Sequence, residues 1–189
     1  MLIERPYLRE RAVTYARRWA LSRNPLFYDF TGSGGDCTNF VSQCILAGSC
    51  VMNFTPTYGW YFRTSADRAP AWSGVEALYD VLKGVTEFAM ANGGLGPYGR
   101  EVPDRLVRMG DVVQLADATG DFYHTAIVSA VLPDDFLVCA HTDNALDRPL
   151  STYRFASVRY IHIDGVRQEV ADDSCYMDLL DGVALPTER

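Results

Sequence analysis

Apolar residues recur at three- and four-residue spacing between Pro6 and Leu21, through Leu8, Ala12, Ala16, Trp19 and Ala20. With Arg9, Arg11, Arg17 and Arg18 mostly elsewhere on the surface, this predicts an amphipathic helix that Asn24-Pro25 breaks. An aromatic loop, Leu26 to Phe30, runs into Thr31-Gly32-Ser33-Gly34-Gly35. A second helix is expected from Asp36 or Cys37, carrying Phe40, Val41, Cys44, Ile45 and Leu46 until Gly48 stops it. Between Ser49 and Pro70 the chain is aromatic and irregular; Phe54, Tyr58, Trp60, Tyr61 and Phe62 either line a groove or pack over the core. Ser73 and Glu76 match a capping box for a third helix with Val75, Leu78, Tyr79 and Leu82 inward. Asn92 to Pro97 reads as a Gly-rich turn.

The period then drops towards two. Strands are expected at Asp111–Leu115, Phe122–Leu132, Phe136–His141 and Ser157–Ile163. If Pro133-Asp134-Asp135 forms a three-residue hairpin loop, Leu132 faces Phe136 and His124 lies across from Asn144. Val138, Ala140 and Thr142 then share the face of His124, and His141 takes the opposite one. A different loop length or one bulge reverses that parity. The organisation expected is one domain over residues 1–167, followed by a weakly patterned acidic extension over 168–189.

Composition narrows the partners. A net charge of -7 without a basic stripe argues against nucleic acid. No apolar run approaches the roughly 18 residues of a membrane span. The start of the chain has no signal-peptide pattern, so a cytoplasmic location is the expectation, with action at the cell wall without a cleaved leader left open. Five cysteines without a CxxC pair favour reduced thiols over a disulfide framework, and neither a metal nor a cofactor is expected.

The chemistry centres on Cys37. It stands where a Gly-Gly loop turns into a helix, and the unpaired N–H groups of a helix start favour a thiolate there. Cys44, two turns on among apolar residues, is the inert control. His124, in an otherwise apolar strand, is the expected general base. His141, Asp143 and Asn144 are the candidates to orient its ring, and His162 reads as an edge or surface position. A metal site of Cys37, His124 and His141 lacks a local ligand pair. The Cys37 N–H is the natural oxyanion donor, with Tyr28 and Asp36 framing the substrate.

The run Asn24-Pro25, Tyr28-Asp29-Phe30 and Gly34-Gly35-Asp36-Cys37-Thr38-Asn39-Phe40-Val41-Ser42-Gln43 resembles the signature of the bacterial putative amidase domain. Trp72, Gly110 to Gln114, Tyr123 to Val128 and Ala140-His141-Thr142 continue the resemblance in order. It implies an α+β, papain-like fold related to NlpC/P60 and CHAP hydrolases, with a nucleophile helix packed on an antiparallel sheet. Cys37 is then the nucleophile and His124 the base. NlpC/P60 relatives point to His141 as the third residue, slightly preferred here over Asn144. The expected activity is hydrolysis of an amide bond in peptidoglycan or a related peptide. A non-catalytic peptide- or glycan-binding module and an acyl transferase are the alternatives.

Overall fold

The computed structural model describes residues 1–187. Six helices precede or close a curved sheet: α1 (Arg9–Trp19), α2 (Cys37–Ser49), α3 (Pro70–Ser73), α4 (Val75–Lys83), α5 (Thr86–Asn92) and α6 (Cys175–Leu180). The seven strands are β1 (Ile3–Arg5), β2 (Gly96–Val102), β3 (Val112–Ala116), β4 (Phe122–Val131), β5 (Phe136–Ala140), β6 (Ala145–Pro149) and β7 (Ser157–Gln168). Every pairing is antiparallel, in the order β1-β7-β3-β4-β5-β6, with β2 on the other edge of β7.

Strand alternation divides the core. Val112, Ile127, Cys139 and Ile161 face the helices, while Val113, Leu115, Ala126, Val128, Val138 and Ala140 build a second cluster on the other face. Helix α2 is buried along its whole length and lies against α1 and β4. Trp60 and Trp72 are fully buried, with ring centroids 5.0 Å apart. Tyr61 and Phe62 are buried beside them, so these rings belong to the core and line no groove.

Several expected elements are redrawn. Leu8, at φ −85° and ψ 80°, is not helical, so α1 begins at Arg9. The third helix is two: Gly74 is extended between α3 and α4, and the Ser73 hydroxyl accepts from Arg68 Nε instead of capping. Strands β1, β2 and β6 and helix α5 carry little periodic signal and were not expected. The chain beyond Gln168 is docked rather than loosely appended. Leu179 is fully buried, its carbonyl accepts from Asn24 Nδ2, and that of Leu180 accepts from Trp19 Nε1. The last two residues of the expected extension, Glu188 and Arg189, lie outside the described residues.

The expectation of reduced thiols is overturned at one pair. Cys50, the left-handed cap of α2, meets Cys175 at the start of α6 in a disulfide. Their positions 125 residues apart come together only when the tail docks. Cys37, Cys44 and Cys139 are free and buried.

Hairpin register decides what surrounds His124. Val131 pairs with Phe136, leaving a four-residue loop, and a bulge at Ser129 then sets Val128 opposite Val138. The two departures from the expected register cancel in parity. Val138 and Ala140 therefore do share the face of His124, and His141 is turned to the helix side. The register nevertheless runs two residues short of placing Asn144 across from His124.

Candidate active site

The turn before α2 is built on Asp36, which is fully buried. Its Oδ1 accepts from the Phe30 N–H at 3.0 Å and from Asn39 Nδ2 at 2.8 Å. Its Oδ2 lies 2.7 Å from His141 Nδ1, with Arg23 Nε at 3.4 Å. Its own N–H donates to Thr142 Oγ1 at 2.8 Å. Gly34 and Gly35, at φ 103° and 111°, give the chain the left-handed path into this turn, where a side chain would be strained. Both carboxylate oxygens, expected to frame substrate, are thus engaged within the protein, and Asp36 holds the loop and helix start together.

The rest of the helix start is similarly tied. Asn39 Nδ2 also donates to the Tyr28 carbonyl, and its Oδ1 accepts from Trp72 Nε1 at 2.8 Å. Ser42 bridges the Trp72 carbonyl and Trp60 Nε1, and Gln43 Oε1 accepts from the Tyr15 hydroxyl. Thr38 Oγ1 meets Thr125 Oγ1 at 2.9 Å, clamping α2 to β4 one residue beyond both Cys37 and His124. Cys37 differs from its polar neighbours. It is the first residue of α2, 8% exposed, and the nearest partner of its Sγ is Thr38 Oγ1 at 3.9 Å. Burial pushes the thiol of Cys44 well up, with Cys139 adding to the effect, so that sulfur is held protonated.

His124 sits near the head of β4, beside a second bulge: Leu115 pairs with His124 and Ala116 with Phe122. Such bulges re-aim side chains at a sheet's end. Its Nε2 is buried without a hydrogen-bond partner. Burial lowers its pKa to about 4; Asp143 opposes that shift and Arg148 adds to it. The imidazole is therefore neutral at pH 7 and able to accept a proton. No hydrogen bond joins it to Cys37 among the described residues.

His141, slightly preferred as the orienting group, is engaged elsewhere in the structure. Its Nε2 is 2.9 Å from the Trp19 carbonyl, its Nδ1 is on Asp36, and its ring stacks on Phe40 at 3.8 Å. Both nitrogens are committed on the helix side of the sheet. Asn144 is exposed in the turn between β5 and β6 and makes no hydrogen bond to His124. Asp143, in the same turn, is the carboxylate whose charge acts on His124. Tyr28 is 49% exposed with its ring on Phe30, so it borders the Gly loop at the surface. His162 is half-buried against Asp111 and Arg9, away from this region. Thr125 and Thr142 lie inside the resemblance blocks but were given no role as fixtures of the site; the Trp19 carbonyl and Tyr153, whose ring faces His124, were missed because no motif marks them.

A family model described as "Putative amidase domain" matches residues 6–163. The chain is also 33% identical over 128 residues to the uncharacterized protein YhbB of Bacillus subtilis (strain 168). That match takes in 66% of this chain and 37% of the relative, so the chain spans little more than a third of its length. No solved structure matches it.

Proposed function

This chain belongs to the putative amidase domain family, and we propose that it hydrolyses an amide bond with Cys37 as nucleophile and His124 as base. One observation carries the reading. In a helix start whose other polar side chains all hold the fold, Cys37 alone presents a nucleophilic atom with only a weak partner.

The chemistry begins from the neutral imidazole. His124 takes the thiol proton as Sγ attacks the carbonyl carbon, and the Cys37 N–H, at a helix start, donates to the developing oxyanion. Collapse breaks the C–N bond, and the imidazolium returns its proton to the departing amine. A water molecule, deprotonated by His124, then attacks the thioester and restores the thiol. With no hydrogen bond between Cys37 and His124 at rest, substrate binding has to bring the two groups together, as is common where catalytic contacts tighten only in the complex.

Peptidoglycan stem peptides or related amides are the substrate class, on the strength of the sequence resemblance. The disulfide supports action in an oxidising compartment rather than in the reducing cytoplasm. Trp60, Tyr61 and Phe62, three of the five rings that a binding groove would have used, are buried in the core, which favours the hydrolase reading over a purely binding role. Digestion of purified cell wall, followed by mass spectrometry of the fragments, tests the proposal. New amine and carboxylate ends that vanish with Cys37→Ala are expected; fragments released equally by Cys37→Ala, or none at all from any peptide tested, would overturn it.

A further inference from the structure

His124 carries a cover that no motif announces. After β6 the chain makes a 3-10 turn, Leu150–Thr152, and returns across β4, so that the Tyr153 ring lies 5.6 Å from the imidazole with planes 29° apart. The Arg148 guanidinium sits 4.0 Å from the centroid of the same tyrosine. This arrangement is anchored at several points. Arg148 Nε donates to Thr152 Oγ1 at 2.8 Å and Nη2 to the Thr152 carbonyl at 3.1 Å. The Thr152 hydroxyl donates to the Pro149 carbonyl at 2.7 Å, and the Tyr123 hydroxyl, next to His124, donates to the Arg154 carbonyl at 2.8 Å.

A ring with one buried nitrogen and no hydrogen bond to fix that nitrogen needs its orientation from packing. The Arg148 guanidinium, over the tyrosine ring and tied to Thr152, fixes that packing. We propose that Tyr153 and Arg148 are positioning residues: Tyr153 sets the plane of the His124 imidazole and shelters it from water, and Arg148 holds the Tyr153 ring in place. The proposal rests on the amidase reading for its purpose, though its physical content does not.

Burial is what disfavours the protonated ring; of the two nearby charges, Asp143, from the turn after β5, favours the protonated form more than Arg148, from β6, disfavours it. Tyr123 on β4 and Tyr153 after β6 are the titratable rings set against His124. The net result is a base that stays unprotonated through neutral pH while keeping its acceptor nitrogen sheltered from water.

The test is an NMR titration of the three histidines in the whole protein, with His124 assigned by loss of its signal in His124→Gln. Tyr153→Leu should open the His124 ring to water and make it bind its proton roughly three- to tenfold more tightly, and Tyr153→Phe should largely keep the original midpoint. In parallel, alkylation of Cys37 should slow about tenfold in Tyr153→Leu and recover in Tyr153→Phe, which keeps the stacked ring. A midpoint unmoved by Tyr153→Leu, or a Cys37 rate indifferent to Tyr153→Leu while dependent on His124, would overturn the proposal. If alkylation ignores His124→Gln altogether, the amidase reading fails instead, and the titration alone still decides whether Tyr153 covers the ring.

Discussion

His141 Nδ1 lies 2.7 Å from Asp36 Oδ2, while its Nε2 faces the Trp19 carbonyl at 2.9 Å. Both ring nitrogens thus point at acceptor oxygens, in a pair almost wholly removed from solvent. The pair links the turn before α2, the end of α1 and the end of β5. It is a brace for the helix on which Cys37 sits.

Removing half of that brace should be costly. His141→Ala leaves the Asp36 carboxylate buried with one oxygen short of its closest partner, and a loss of about 3–5 kcal/mol in unfolding free energy is expected by urea denaturation. A variant with native stability and abolished activity would instead return His141 to the chemistry.

Thiol labelling should single out Cys37. Burial raises the pKa of both Cys44 and Cys139 and seals them from reagent. Native protein should therefore take up one equivalent of iodoacetamide, on Cys37, with the other two free thiols labelled only after unfolding. Peptide mapping reads the outcome directly; equal labelling of Cys44 would remove the distinction between reactive and structural thiols.

His124 should make stability depend on pH in a defined window. Its folded pKa of about 4 lies below the ordinary 6.5, so between these values the unfolded chain binds the extra proton. The contribution is complete above about pH 6.5 and is lost as pH falls towards 4, amounting to about 3 kcal/mol. Melting curves across that range should show a steeper acid limb for the native protein than for His124→Gln.

The Cys50–Cys175 bond should stabilise the tail and the end of α2 together. It closes a loop with a sequence separation of 125, for which a loss of roughly 2–5 kcal/mol on removal is expected. Reductant should lower the melting temperature of the native chain and leave that of a Cys50→Ala, Cys175→Ala double variant unchanged.

Strong local patterns were legible in the chain. The period-3.6 stripe of α1 and α2, the strands β3, β4, β5 and the start of β7, and the position of Cys37 at a helix start all appear where the pattern puts them. Short elements such as β1 and β6 escaped because three to five residues hold too little periodicity, and they are strands only through their partners. Asp36 and His141 were read as chemistry because buried polar residues in a motif look alike in sequence, whether they touch substrate or brace a loop.

By itself, the sequence determined the local conformations and the identity of the nucleophile candidate, since propensity, glycine placement and helix starts act over a few residues. Only the tertiary structure decided which histidine is free and which is bound. That depended on a loop length and two bulges, where one residue of slip turns a side chain to the opposite face of a sheet. The same long-range packing joined Cys50 to Cys175 and laid Tyr153 on His124, contacts between distant segments that no local pattern records.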